Sequence, residues 1–284
     1  MEPVHTSRVE AGVDDVDTAV IEDNLRRIWV VRAPRTAAAG VRMEQESQLI
    51  GQLMSWLPFG LPRAEGTAPL PTGGRAVVHR QLPGRPIRPL ELLHRPGLAA
   101  TFGRTAAAIH DLPVRLVEEA GLPVYTAEEH RFRRLAEVDR AAATGLVPTR
   151  LLTRWESAVE EVGAWRFVPC CVHGDLVGDN LLIEGETVTG VTQWSQTRVG
   201  DPADDLAWIA IGPTEPAMET VLAAYAAARG EKPDPSLRRR AALAGEFAIA
   251  RWLLHGVSTD DASIVDDAVQ MLADLDASVA DEPW

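Results

Sequence analysis

The residues best suited to do chemistry lie in a polar loop between two apolar runs, from Val172 to Ile183. A run typical of a strand leads into His173-Gly174-Asp175, and a second strand is predicted to begin at Asn180. A carboxylate and an amide flanking one loop can supply a base for a hydroxyl and an oxygen ligand for a phosphate-bridging metal, as phosphoryl transfer requires. The alternative is that His-Gly-Asp and Gly-Asp-Asn are turn residues without chemical function.

The part of the chain before this loop begins with β-rich sequence. Strands are predicted at residues 17–21, 28–31 and 75–81, and the first two are separated by a polar turn that predicts a hairpin. Apolar residues at helical spacing predict a helix from Glu44 to Leu57. Leu82-Pro83-Gly84 then breaks the pattern. We therefore predict an N-terminal lobe of residues 1–82 and a C-terminal lobe of residues 83–284.

The C-terminal part is predicted to be mainly helical, with a strand–loop–strand region at residues 168–200. Amphipathic patterns predict helices with the bounds Pro96–His110, Ala127–Ala143, Thr149–Val162, Pro202–Ile211, Pro216–Arg229, Leu237–His255 and Asp260–Val279. Strands and helices do not alternate, which excludes a Rossmann sheet, and the sequence has no Walker-type phosphate loop. The prediction is an α+β fold with a small β-rich lobe and a larger helical lobe.

The polar loop and a second motif downstream resemble the aminoglycoside and macrolide phosphotransferase family. The loop shares the family's His-Gly-Asp-Leu, two variable residues, Gly, and then Asn or His before a strand. Residues 188–207 (VTGVTQWSQTRVGDPADDLA) resemble its second strand, its metal-binding Asp-Trp step and its Gly-Asp-Pro-x-x-Asp-Leu-Ala helix start. Residues 28–35 and 57–62 are most similar to the macrolide branch. The resemblance extends from about Val9 to the C-terminal helix.

This resemblance implies a two-lobed protein-kinase-like fold that moves the γ-phosphate of ATP or GTP onto an antibiotic hydroxyl, using Mg²⁺. Asp175 matches the catalytic base and Asn180 matches a magnesium ligand, whereas His173 is expected to support the loop. Asp201 or Asp205 is expected to hold the loop through backbone hydrogen bonds. For Asp201, a helix N-cap before Pro202 is an equal alternative.

The nucleotide site is expected in the N-terminal lobe. Kinase-like folds pair a strand lysine with a helix carboxylate, but the only lysine, Lys232, lies in the other lobe. Arg32 and Glu46 occupy the corresponding strand and helix positions, where arginine keeps the charge in a different geometry. The alternative for this pair is a surface salt bridge of about 0–1 kcal/mol. The backbone of His79, Arg80 and Gln81, at the end of the last predicted strand, is expected to bind the base.

The main departure from the family concerns the metal. Where the family has the Asp of its Asp-Trp step, this chain has Gln193 before Trp194, so a neutral amide replaces a carboxylate. Magnesium is usually held by one or two carboxylates, so binding should weaken. Asp179, where the family usually has glycine, is a candidate substitute, and the phosphate loop contains a single glycine, Gly12. Two functions therefore stay open: an active phosphotransferase, or a catalytically impaired phosphotransferase-like binding protein.

Composition narrows the function classes further. The net charge of −13 argues against nucleic acid and anionic membranes and is compatible with a cationic small-molecule acceptor, although acidity for solubility alone is an equal alternative. No apolar run is long enough to span a bilayer, and the acidic N-terminus does not resemble a signal peptide. The adjacent Cys170 and Cys171 are predicted to be free thiols in a reducing cytoplasm.

Overall fold

The computed structural model describes residues 2–9, 15–71, 74–211, 215–230 and 234–279. Its N-terminal part is a five-stranded antiparallel sheet with the strand order β1-β2-β3-β5-β4. The strands are β1 (Pro3–Val9), β2 (Val16–Asp23), β3 (Ile28–Pro34), β4 (Ala64–Pro69) and β5 (Arg75–Arg80). The predicted β2–β3 hairpin and β5 are confirmed. Gly12 and Lys232, which bear on the predicted phosphate contacts, lie outside the described residues.

Two strands of this sheet, β1 and β4, were not predicted, and both lack the pattern that marks a half-buried strand. The side chains of β4 are almost all exposed, and its sequence contains Gly66 and Pro69. The described side chains of β1 are exposed as well. Because these strands bury little apolar surface, their sequences carry no alternation from which a strand could be inferred.

Helix α1 (Ala37–Leu53) follows the first three strands and begins earlier than the sequence predicts. The side chain of Thr36 caps it, accepting a hydrogen bond from the Ala39 amide at 3.1 Å. The first two turns are rich in alanine and glycine, so apolar periodicity starts only at Met43. The helix ends at Leu53, before the predicted Leu57, and the ten residues 54–63 lead to β4 without helical structure.

The remainder of the chain is mostly helical. The helices are α2 (Pro89–His94), α3 (Pro96–His110), α4 (Val114–Glu119), α5 (Ala127–Ala143), α6 (Thr149–Glu160), α7 (Ala207–Ala210), α8 (Glu215–Arg229), α9 (Leu237–Thr259) and α10 (Ala262–Ser278). The predicted bounds of α3 and α5 are confirmed. The helix predicted from Pro202 to Ile211 is instead a 3₁₀ helix, Pro202–Leu206, that continues into the single turn of α7. Helices α2 and α4 are too short to show periodicity in the sequence.

Five short strands lie among these helices and hold the polar loop. They are β6 (Arg85–Pro86), β7 (Cys170–Val172), β8 (Leu181–Glu184), β9 (Thr187–Val191) and β10 (Arg198–Gly200). β7 pairs with β10, and β8 pairs with both β6 and β9. The loop 173–180 joins β7 to β8, and the segment 192–197 joins β9 to β10. Because both segments connect the same two small sheets, they lie side by side.

Two apolar clusters form the core of the helical part. The larger one surrounds α3 and the small strands and includes Phe102 and Trp194, both fully buried. The second joins α5, α6, α9 and α10 around Trp155 and Phe247, whose rings lie 5.4 Å apart. Within the ranges described, no helix has the length and apolar character needed to cross a membrane. The loop 173–180 thus rests on a packed, rigid base.

Candidate active site

The polar loop is held closed by its own two functional residues. The side-chain nitrogen of Asn180 donates to the Asp175 carboxylate Oδ2 at 2.9 Å and to the Asp175 backbone oxygen at 2.8 Å. The amide of Val177 donates to the same backbone oxygen. Asp175 is exposed, whereas Asn180 is buried beneath it. The loop therefore presents a carboxylate to the surface in a fixed position.

Asp205 braces this loop from inside the protein. Its Oδ1 accepts from the Gly174 amide at 2.7 Å and its Oδ2 from the His173 amide at 2.7 Å, and His110 Nε2 lies 3.1 Å from Oδ2. Burial raises the pKa of Asp205, but the hydrogen bond and charge of His110 and the hydrogen bond from the Gly174 amide outweigh it, so the pKa lies below its usual value. The carboxylate is thus ionised and fixes two consecutive backbone groups.

Asp201 has a different role from Asp205. It caps the 3₁₀ helix by accepting from the Ala203 amide at 2.9 Å, which is the alternative considered from the sequence. It also forms a buried ion pair with Arg240, whose Nε lies 2.7 Å from Oδ2. Arg240 in turn contacts Asp234 at 2.7 Å. Asp201 therefore links the start of the 3₁₀ helix to α9, whereas the loop amides donate their hydrogen bonds to Asp205.

His173 lies between the loop and the segment 192–197. Its Nε2 lies 2.9 Å from the Thr192 carbonyl oxygen, which can only accept, so Nε2 carries the proton. Its Nδ1 then accepts from the Asp175 amide at 3.3 Å. The ring packs edge-on against Trp194 with centroids 4.8 Å apart. A fully buried ring with both nitrogens engaged supports the loop and is not exposed to a substrate.

The Arg32–Glu46 pair is buried, so the surface salt-bridge interpretation is wrong. Arg32 Nη1 lies 2.9 and 2.8 Å from the two carboxylate oxygens of Glu46, and the side chains are 10% and 3% exposed. Glu46 also accepts from the Trp194 backbone amide at 3.0 Å, which links α1 to the segment after β9. Arg32 Nε is buried without a hydrogen-bond partner among the described residues. At least one donor of the guanidinium is therefore not used in the pair with Glu46.

Gln193 adopts an uncommon backbone conformation. Its φ of 63° and ψ of 56° lie in the left-handed region, which glycine, asparagine and aspartate enter more readily than glutamine. Strand β9 ends at Val191, two residues before Gln193. The Gln193 Oε1 atom is buried and, among the described residues, has no hydrogen-bond donor.

Asp179 is exposed in the turn 178–180, and no cluster of three His, Cys, Asp or Glu suited to a metal occurs in the described ranges.

A cleft of about 160 Å³ lies between the N-terminal sheet and the small β8–β9 sheet. Arg32, Gln193, His79 and Gln81 all line it, so the structure brings together residues from three separated parts of the chain. Burial lowers the pKa of His79, and its Nδ1 lies 2.8 Å from the Arg80 carbonyl oxygen. The Gln81 amide already donates to the Ile28 carbonyl at 3.0 Å.

The side chain of Arg80 points away from the cleft. Its guanidinium lies over the Trp29 ring, 4.7 Å from the centroid. Only the backbone of Arg80 can therefore face a ligand in the cleft, which is the group that the sequence prediction assigned to base binding.

A second cavity, of about 330 Å³, lies beside the polar loop and was not predicted from the sequence. Gly174 forms part of its wall, together with the segment 195–198 and residues of α5, α7 and α9. The signal in the sequence that could have indicated it is the group of arginines within α5.

Comparisons with known proteins agree with this geometry. A family model described as "Phosphotransferase enzyme family" (APH) matches residues 5–243. Viomycin phosphotransferase of Streptomyces vinaceus is 28% identical over 253 residues, covering 84% of each chain. Macrolide 2'-phosphotransferase MphH from Brachybacterium faecium has a TM-score of 0.81 at 24% identity, covering 94% of this chain and 91% of that one. The GDP and kanamycin complex of APH(2")-IIia has a TM-score of 0.85 at 20% identity, with coverages of 98% and 95%.

Two conclusions about the chain, its fold and its family, follow from these similarities. The high TM-scores show that the sheet and the helical part together form the two-lobed kinase-like fold of the antibiotic phosphotransferases. The family model spans most of the sequence and includes the polar loop and the Asp205 motif. The chain belongs to the APH phosphotransferase enzyme family.

Proposed function

We propose that the protein transfers the γ-phosphoryl group of ATP or GTP to a hydroxyl group of a small molecule. The observation that carries the proposal is the braced loop, in which Asp205 fixes the amides of His173 and Gly174 while Asn180 fixes the Asp175 carboxylate. Phosphoryl transfer depends on positioning and on electrostatic stabilisation more than on covalent chemistry by the protein. A carboxylate held at the surface of a rigid loop meets the positioning requirement.

In this mechanism Asp175 accepts the hydrogen bond of the acceptor hydroxyl and takes its proton as the oxygen attacks phosphorus. Arg32, oriented by Glu46, directs its unpartnered Nε to a phosphate oxygen. The backbone of residues 79–81 binds the base at the end of the cleft. Since the Gln81 amide is occupied by Ile28, the carbonyl oxygen of Gln81 is the group we assign to the base.

Two of the residues available for magnesium, Asn180 and Gln193, are neutral. Asn180 and Gln193 offer amide oxygens, which are hard ligands without charge, and the buried Gln193 Oε1 without a donor is an acceptor suited to a cation. These residues fit an ion that arrives with the nucleotide phosphates, and Asp179 is the carboxylate we propose as a substitute ligand. When bound, the ion would neutralise phosphate charge. The protein residues orient the nucleotide and the hydroxyl around it.

Variant Asp175→Asn tests the proposal. We expect it to bind Mg-ATP or Mg-GTP within a few-fold of the wild type and to lose transfer, because a positioned base contributes about 10²–10⁴-fold. ADP or GDP release is measured with a panel of macrolides, aminoglycosides, viomycin and hydroxy acids. Asp139→Asn, an exposed change on α5, is the matched control. Wild-type protein that binds neither nucleotide, or a variant that keeps more than about a tenth of the rate, would refute the assignment.

A second function is favoured by one observation, the amide at position 193. Without a carboxylate there, the protein could hold nucleotide and ligand without turnover. This binding protein would show nucleotide affinity in titration calorimetry but no nucleotide consumption with any acceptor of the panel. Only the rate of nucleotide consumption distinguishes the two functions, because both predict nucleotide binding.

Two further proposals concern organisation. We place the boundary between the lobes at residues 82 and 83, where β5 has ended and the chain turns toward the small sheet. We also propose a cytoplasmic location, which is supported by the two free, buried cysteines Cys170 and Cys171.

A further inference from the structure

The second cavity, of about 330 Å³, adjoins the polar loop. Gly174, whose backbone precedes Asp175, forms part of its wall. A Cβ atom at Gly174 would lie 2.3 Å from Arg198 Nη1 and 2.4 Å from the Gln196 carbonyl oxygen. The guanidinium of Arg198 therefore lies directly against the loop that carries Asp175. A molecule bound here would contact Arg198 beside the backbone of Gly174, one residue before Asp175.

The lining of this cavity is strongly cationic, in contrast to the chain as a whole, whose net charge is −13. Five arginines contribute to it: Arg42, Arg133, Arg134, Arg198 and Arg251. They come from α1, α5, β10 and α9, so four separate elements direct positive charge to one space.

Only two carboxylates in the lining oppose these five charges, and each is already shared. Asp204 binds Arg134 and Arg198 together. Glu137 lies 2.7 Å from Arg134 and 3.5 Å from Arg251. Arg133 lies over the Tyr125 ring, 4.3 Å from the centroid. The lining therefore keeps an excess of positive charge, which an anion would neutralise.

Buried polar atoms without partners are a second, independent sign of a ligand. His130 is 4% exposed and Thr197 1%, and among the described residues neither ring nitrogen of His130 nor Thr197 Oγ1 has a hydrogen-bond partner. His130 Nε2 is 3.8 Å from the nearest Asp204 oxygen, beyond hydrogen-bond distance. Burial lowers the pKa of His130, so the neutral ring offers one donor and one acceptor. Unsatisfied buried groups of this kind are costly and are commonly paired with water or a ligand.

We propose that this cavity is the acceptor pocket and that the acceptor is an anionic alcohol, a small molecule with a carboxylate or phosphate group beside the hydroxyl that is phosphorylated. This inference rests on the proposed function, because that function assigns a hydroxyl of the bound molecule as the group that is phosphorylated. The arginines bind the acidic group, because guanidinium forms paired hydrogen bonds with carboxylates and phosphates. His130 and Thr197 supply further polar contacts. A polycationic aminoglycoside would face like charges in this space, which disfavours binding.

Binding of anions to the nucleotide-saturated protein tests the proposal. The probes are inorganic phosphate and D-glycerate, and kanamycin is the cationic comparison, each measured by titration calorimetry in the presence of a non-hydrolysable nucleotide. We expect both anions to bind and kanamycin not to bind. In the double variant Arg133→Gln/Arg251→Gln, anion affinity should fall at least tenfold, since charge-assisted hydrogen bonds are lost. Both residues are exposed, so the core is unaffected.

Arg239→Gln, a surface arginine paired with Glu161, is the matched control and should leave anion affinity unchanged. Kanamycin binding, or anion affinity equal in the wild type and the double variant, would overturn the inference. Nucleotide binding without anion binding would overturn this inference alone. Anion binding sensitive to the double variant, but without nucleotide binding, would overturn the proposed function and leave the cavity as an anion site. A higher rate of ADP or GDP release with D-glycerate than with kanamycin would support both.

Discussion

Replacing Asp205 by asparagine should destabilise the protein by about 3–5 kcal/mol, the range found when one partner of a buried ionic network is removed. The carboxylate accepts three hydrogen bonds with two oxygens, at 2.7 Å from each loop amide and 3.1 Å from His110. Asparagine has one oxygen and one NH₂ group, so at least one donor would face another donor. A buried donor left without its acceptor costs about 1–3 kcal/mol, and the remaining bonds lose their charge assistance.

The free energy of unfolding, measured by urea denaturation, checks this value. Asp266→Asn, an exposed change on α10, controls for the loss of one negative charge. Phosphoryl transfer should fall together with stability, because the amides that Asp205 holds belong to His173 and Gly174, next to the proposed base. A variant within about 1 kcal/mol of the wild type would refute the reasoning, since the fully buried Asp205 would then contribute no more than an ordinary hydrogen bond.

The same residue predicts a pH dependence. Because the pKa of Asp205 is lowered in the folded protein, its contribution is present above the unfolded-state pKa of about 4 and is lost as pH falls through the lower folded-state pKa. The difference in stability between the wild type and Asp205→Asn should therefore be constant near neutral pH and shrink below about pH 4. Urea titrations across this range measure it, and a gap that widens toward acid would contradict the sign.

Three further changes test other parts of the site. Gln193→Asp should increase magnesium-dependent nucleotide binding at least tenfold, because it adds a charged ligand; Gln193→Asn, measured alongside, separates charge from the left-handed backbone. Glu46→Gln should cost about 3–5 kcal/mol of stability and weaken nucleotide binding, because it leaves Arg32 buried without its carboxylate; denaturation and nucleotide titration with unchanged values would exclude this role. Thr126→Ala should cost about 1 kcal/mol in thermal unfolding, because it removes the side-chain cap of α5.

The sequence predicts the parts of the fold in which local pattern and burial coincide. Helix α5 begins at a capping box built on Thr126 and Glu129 and carries an amphipathic stripe, so its bounds could be predicted. Helix α1 could be predicted only in part, because its first two turns lack apolar periodicity. Strand β4 could not be predicted, because its side chains are exposed and show no apolar alternation.

The contacts of the candidate site also differ in whether the sequence predicts them. Asp175 and Asn180 are close in sequence, so their contact follows from one loop. The contact between Glu46 and the Trp194 amide joins residues 148 positions apart, and no local pattern indicates it. The choice between Asp201 and Asp205 depends on which direction each carboxylate faces from a 3₁₀ helix, which composition does not encode.

Glu46 has a consequence for how activity is controlled. It accepts from Arg32 on β3 and from Trp194 behind the polar loop, so a single carboxylate fastens α1 to both halves of the molecule. In kinases that are switched on by signals, the corresponding helix moves and the ion pair forms only in the active state. In this protein, moving α1 outward would break both contacts and leave the buried Arg32 guanidinium and the buried Trp194 amide without the Glu46 carboxylate. These two contacts therefore disfavour control of the proposed activity by movement of α1.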